Sequence, residues 1–328
     1  MKAITYTNTR TPPWWISNLH ESYPRGYAYE TDTHFIHIYG AEEGLWPISP
    51  DMTTVNAKKG DLGDWVKQTF GARDTEVSDV EVGQTTAGVW RPGISHVDQI
   101  RQGLLTTDNE RHAALQTVRL LLERLDELFL YIEPCSTSLG TYSNKTRELL
   151  ILACTEVENT WQHYMRSAQH SPTSSRSYTT NDYIKLLTPL RLSEYELVPK
   201  PYSIPPMRPF LSWDVAQPSK SLKWYDAYNL TKHDRQTHFD KATLKTCIEA
   251  VCAQLVMFSV RFSPHSLYHE GGTVTALFRQ LLDIRLRGCS PKSFYIPLAL
   301  PPVDFQLTIL DTHQQKFMQP WTVQPLIL

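Results

Sequence analysis

The order of patterns along the chain predicts an α+β protein. A β-rich, loop-rich region spans 1–105, a mainly helical centre spans 106–270, and a helix followed by β-rich sequence spans 271–328. Three observations carry this reading. Ala28–Gly40 (AYETDTHFIHIYG) sets β-branched and aromatic residues in partial alternation, as a strand does. From Asn109 to Ile132 the apolar residues Leu115, Val118, Leu122, Leu125 and Phe129 follow steps of three and four, which makes one helical stripe. The tail then returns to strand character in FYIPLAL and FQLTIL. The two β-rich ends are expected to meet in one sheet.

In the first region Thr85–Pro92 is a second strand candidate, and Pro47, Pro50 and Arg91-Pro92-Gly93 punctuate the loops. Pro134 ends the first long helix. Ser143 is the expected N-cap of the next, which aligns Leu150, Ala153, Val157, Trp161 and Tyr164. The Ser/Thr cluster 171–180 reads as a loop. Thr179-x-x-Asp182 then forms a capping box and opens a short helix through Leu190. Pro199, Pro201, Pro205, Pro206, Pro209 and Pro218 leave an extended connector, pinned by Tyr202, Phe210 and Trp213. A helix beginning near Ser219 or Ser221 is expected to hold WYDAYNLTKHDR (224–235). It should continue with a bend into the stripe Leu244, Ile248, Val251, Leu255 and Phe258. A last helix is expected over Val274–Leu286.

With 328 residues and 41% hydrophobic content the chain can bury a real core. Its net charge of -2 rules out a global basic field, so any nucleic-acid site must be a local patch. The opening MKAITYTNTRTPPWW lacks the apolar run of a secretory signal, and no stretch approaches the roughly 20 apolar residues of a membrane span. A cytoplasmic location and no membrane association are expected. Cys135, Cys154, Cys247, Cys252 and Cys289 are scattered and odd in number, which predicts reduced, buried thiols.

The chemistry concentrates in WYDAYNLTKHDR. Asn229 and His233 are four apart and share a helical face, with Lys232, Arg235 and Gln236 beside them. From Lys220 to Lys245 six Lys or Arg face three Asp, a basic patch that the overall charge conceals. Such a set suits RNA transesterification. His233 can take the proton of a ribose 2′-hydroxyl or protonate the leaving oxygen. Lys232 and Arg235 can hold phosphate charge. Trp224, Tyr225 and Tyr228 can stack on unpaired bases. No metal or other cofactor is expected. The competing reading is structural: a polar ridge satisfied inside the bundle, with Glu156 and Glu158 of ACTEVENTW as its acidic partners.

The helix pair ELLILACTEVENTW and WYDAYNLTKHDR, with DYIKLL and the proline connector between them, resembles HEPN-domain proteins. The resemblance covers about residues 109–265. It implies an antiparallel helical bundle and a metal-independent endoribonuclease of the kind found in phage defence, toxin–antitoxin and stress systems. It also implies a homodimer that brings two copies of the motif together. Asn229 falls on the family's polar position and His233 on its histidine. Tyr228 stands where the arginine is usual, and Arg235 is the nearest guanidinium to replace it. Glu156 and Glu158 are then expected to position the basic cluster. The alternative is a non-catalytic interaction or dimerisation module. A third reading places function in the β-rich ends.

Other signals are weaker. His34 and His37, three apart in a strand, should point to opposite faces and share no metal ion. His265-x-x-x-His269-Glu270, between Pro264 and a Gly pair, reads as a surface loop. Cys247 and Cys252 lie about 140° apart on a helix. No phosphate loop or nucleophile motif is evident.

Overall fold

The computed structural model describes residues 1–12, 18–49, 52–173, 177–200, 203–269, 271–306 and 317–328. The protein is α+β and divides into two compact units. One comprises Met1–Leu105 with Cys289–Gln324, the other Thr106–Gly288 with Pro325–Leu328. Residues 271–328 are thus shared between the units: the first part belongs with the helices, most of the rest with the N-terminal strands.

The first unit is built on a five-stranded antiparallel sheet. Its strands are β1 (Lys2–Thr7), β2 (Arg25–Glu30), β3 (His34–Gly40), β4 (Thr53–Ala57) and β5 (Arg73–Glu81), in the order β4-β3-β2-β1-β5. Ala28–Gly40, which reads as one stretch, is a hairpin in which Ala28 faces His37. Alternation sorts the side chains. Tyr27, Tyr29, Ile36 and Ile38 pack with Phe294 and Ile296 on one face, while Ala28 and Tyr39 pack with Val66 and Phe70 on the other. The short helix α1 (Leu19–Ser22) adds Leu19 to that second face, which α2 (Leu62–Phe70) covers. Asp61 caps α2, and Gly71 ends it at φ 63. The sequence reading missed α2 and the polar, exposed β5.

FYIPLAL supplies apolar cover and, among the described residues, is no strand: its backbone makes one isolated bridge there, Ala299 to Met318. Of FQLTIL only Phe305 and Gln306 are described. The Thr85–Pro92 candidate shortens to β6 (Gln84–Thr86), which pairs in parallel with the C-terminal strand Thr322–Gln324 and is followed by α3 (Val97–Leu104). The two ends of the chain therefore do meet, but in a two-stranded ribbon apart from the main sheet.

His34 and His37 lie on opposite faces, as their spacing predicts. His34 Nε2 lies 2.8 Å from the Phe305 carbonyl oxygen. His37 stacks on Phe70 at 3.7 Å between centroids, and its burial lowers its pKa well below the usual histidine range.

The second unit contains α4 (Asp108–Phe129), α5 (Asn144–Ser167), α6 (Thr180–Tyr183), α7 (Lys223–His233), α8 (Arg235–His238), α9 (Leu244–Phe262), α10 (His265–His269) and α11 (Gly272–Leu281). Helices α4, α5 and α9 pack on one another, α7 packs on α5 and α9, and α11 packs on α4. Thr107 and Ser143 close capping boxes on α4 and α5. The predicted stripes are inside, except that Leu115 and Phe129 of α4 are only half-buried: Val118, Leu122 and Leu125 from α4; Ala153, Val157 and Trp161 from α5; Ile248, Val251 and Leu255 from α9.

Three helical expectations are corrected. WYDAYNLTKHDR does not run on into α9: Asp234 ends α7 and caps α8, and Thr243 caps α9 as a separate helix. Val274–Leu286 is not one helix. In LDIRL the apolar residues alternate, so Leu282–Leu286 forms β8, antiparallel to β7 (Tyr195–Pro199) inside the proline-rich region. The segment after the Thr179 capping box tightens to a 3₁₀ turn at Ile184–Leu186, short of Leu190.

His265–His269 is helical and His265 is buried, so it is not a surface loop; Glu270 and Tyr202 lie outside the described residues. Cys154, Cys247 and Cys252 are buried free thiols, whereas Cys135 and Cys289 are half-exposed. Among the described residues no helix is long and apolar enough to cross a membrane.

Candidate functional site

Helix α7 buries the face made by Trp224, Ala227, Tyr228 and Thr231, the spacing of one helical stripe. Trp224 donates its indole N–H to the Pro209 carbonyl at 2.9 Å and meets Phe210 edge-on at 5.9 Å. Trp161 of α5 stacks on Trp213 at 4.9 Å. The proline connector is therefore held by aromatic contacts and by indole N–H bonds to its carbonyls.

Beside this cluster runs a polar chain. Tyr225 and Tyr228 donate their hydroxyls to the two oxygens of Glu158, at 2.5 and 3.1 Å. Lys232 donates to the Tyr228 hydroxyl at 2.7 Å, and its ammonium lies 4.8 Å from the centre of that ring. Burial, then the bond to Glu158, pushes the Tyr225 hydroxyl far above the usual tyrosine range. The bond to Tyr228 raises the Lys232 pKa.

This arrangement corrects the assignment of Trp224, Tyr225 and Tyr228 as base-stacking residues, because all three are buried. Lys232 is exposed but committed to Tyr228. Glu158 does tie down part of the polar helix, as the structural reading expects. Glu156 does not join it. Two residues on a helix are roughly 200° apart, and Glu156 instead lines a groove between α4 and α9.

The outer face of α7 differs. His233 is exposed and Asn229, one turn earlier, is half-exposed; neither side chain has a hydrogen-bond partner among the described residues. Two guanidinium groups join this end of α7 to the first turn of α5. Arg147 donates through Nε and Nη2 to the Thr231 carbonyl, at 3.2 and 3.0 Å, where the C-terminal end of a helix favours a cation. Arg235 donates to Asn144 Oδ1 at 2.8 Å, with its Cζ 5.3 Å from the Phe239 ring centre. Asp234 is spent as a cap on the Thr237 amide at 3.1 Å.

The sequence reading missed Arg147. Its signal was a basic residue near the start of a helix whose first turn carries no acid. The corner thus combines an exposed imidazole with two anchored guanidinium groups, a set able to bind a phosphodiester and move a proton. No protein-family model, no curated protein and no solved structure matches the chain.

Proposed function

We propose that the second unit is a HEPN-like helical bundle that acts on RNA at the corner where α5 begins and α7 ends. The observation that carries this reading is His233, exposed and without a partner among the described residues, with Arg147 anchored on the Thr231 carbonyl two residues before it and Arg235 anchored two residues after it.

Arg235 and Arg147 bind the phosphate and stabilise the charge that builds on its equatorial oxygens. The ribose 2′-oxygen attacks phosphorus, its proton passes to His233, and the 5′-oxygen leaves, giving a 2′,3′-cyclic phosphate. Asn229 orients the ring or the substrate. One imidazole cannot accept that proton and protonate the leaving oxygen at the same moment. A homodimer that brings a second His233 to the same phosphate supplies both roles, and two-fold dimers are the commonest oligomers. A defence or stress role in the cytoplasm fits such an activity.

The test is incubation of the purified protein with RNA in EDTA. The reading expects fragments with cyclic-phosphate ends, lost in His233→Ala at unchanged melting temperature. Intact RNA after incubation with a folded dimer overturns the cleavage step.

One observation favours a second reading, a non-catalytic interaction or dimerisation module. Tyr228, at the position where the resemblance expects arginine, is locked to Glu158 and Lys232. In that case His233→Ala leaves partner capture intact.

A further inference from the structure

Three helices of the second unit each turn one stripe, spaced i, i+3, i+4, i+7, toward a shared groove of about 370 Å³. From α5 the stripe is Glu156, Asn159, Thr160 and His163. From α4 it is Glu110, Ala113, Ala114 and Thr117, and the two alanines leave the space open. From α9, Gln254, Met257, Phe258 and Arg261 complete the lining. A wall of larger apolar residues on α4 would have closed the bundle here.

The polar groups of this groove are unequally matched. Arg261 is committed: its Nη2 lies 2.7 Å from Glu110 Oε1, and its guanidinium sits 5.2 Å from the Phe262 ring centre. Gln254 is only 5% exposed, in the middle of an apolar helix, and its Oε1 has no hydrogen-bond partner among the described residues. A buried amide left without a partner costs roughly 1–3 kcal/mol. The Glu156 carboxylate also has no partner among the described residues. Burial, then the charge of Arg261, lowers the pKa of His163 and keeps its ring neutral near pH 7. Glu110 and Glu156 against Arg261 leave one net negative charge, one open carboxylate on Glu156, a Gln254 amide whose oxygen is buried, and an apolar surface from Met257 and Phe258.

We propose that this groove binds an organic ammonium ion carrying a compact apolar body. The ammonium donates to Glu156 and to the Gln254 carboxamide, which can turn its oxygen to the groove by rotating about its last bond. The body lies on Met257 and Phe258 in the space above Ala113 and Ala114. This site is independent of the α5–α7 corner and of any action on RNA.

The experiment titrates the full-length protein with 2-phenylethylamine, with 3-phenylpropionate as the anionic control, by calorimetry and by the imidazole resonances of His163. Saturable binding of the amine is expected, about tenfold or more tighter than the carboxylate, with the His163 signal shifting. Glu156→Gln should weaken the amine by about tenfold. Ala113→Phe, at an exposed position, should abolish binding while leaving the melting temperature unchanged. The proposal is overturned by no saturable amine binding, by a carboxylate that binds as tightly, or by a Glu156→Gln protein that binds unchanged.

Discussion

Two faces of α7 hold polar chemistry in opposite ways. On the inner face the Trp224 indole is spent on a carbonyl, the Tyr225 and Tyr228 hydroxyls on Glu158, and the Lys232 ammonium on Tyr228. On the outer face His233 stands in solvent with no partner among the described residues, beside guanidinium groups fixed by Thr231 and Asn144. The difference teaches that one polar helix divides its labour by face. The inner part fastens α7 to α5 and to the proline connector, and the outer part remains free to meet a ligand.

Substitutions should separate the two parts by what they damage. The largest effect is expected for Trp224→Ala, which removes a fully buried indole; it should lower stability by about 3–5 kcal/mol in denaturant unfolding. A loss under about 1 kcal/mol would mean the connector is not held there. Glu158→Leu comes next. It strands the hydroxyls of Tyr225 and Tyr228, and about 2–4 kcal/mol should be lost at neutral pH.

A third effect depends on pH. Asp182 is buried, which by itself would raise its pKa, but hydrogen bonds from Thr173 and Thr179 outweigh burial and hold it at about 2. Its folded pKa lies below the usual 3.8, so its contribution is complete above about pH 4 and fades as pH falls through 2. Asp182→Asn should cost about 2 kcal/mol at pH 7 and progressively less toward pH 2. A pH-independent difference between the two proteins contradicts this. The smallest effect on stability, within about 0.5 kcal/mol, belongs to His233→Ala, since the ring is exposed.

How much of this could be read from the sequence follows from the physics of each element. The stripes of α4, α5 and α9 were legible because each buries one face at helical period, and the capping residues Ser143 and Thr179 were legible because their side-chain chemistry is local. Strand β8 was not, since LDIRL continues an apolar helix without a breaker and declares itself only by pairing with β7. The polar strand β5 carries little core-facing pattern; its place comes from β1.

At the site, the shared face of Asn229 and His233 could be read, but burial of the neighbouring aromatics could not. Tyr225 and Tyr228 look the same in sequence whether they stack on a base or donate to Glu158, sixty-seven and seventy residues away. Arg147 stayed hidden for the same reason: the carbonyl it caps belongs to another helix.

The most direct measurement follows the imidazole resonances of His233 by NMR while a single-stranded RNA oligonucleotide is added to the full-length protein, with buried His37 as internal reference. A saturable shift at His233, absent at His37 and lost in Arg235→Ala, is the predicted result. RNA that binds without moving His233, or that fails to bind at all, contradicts the assignment of this corner.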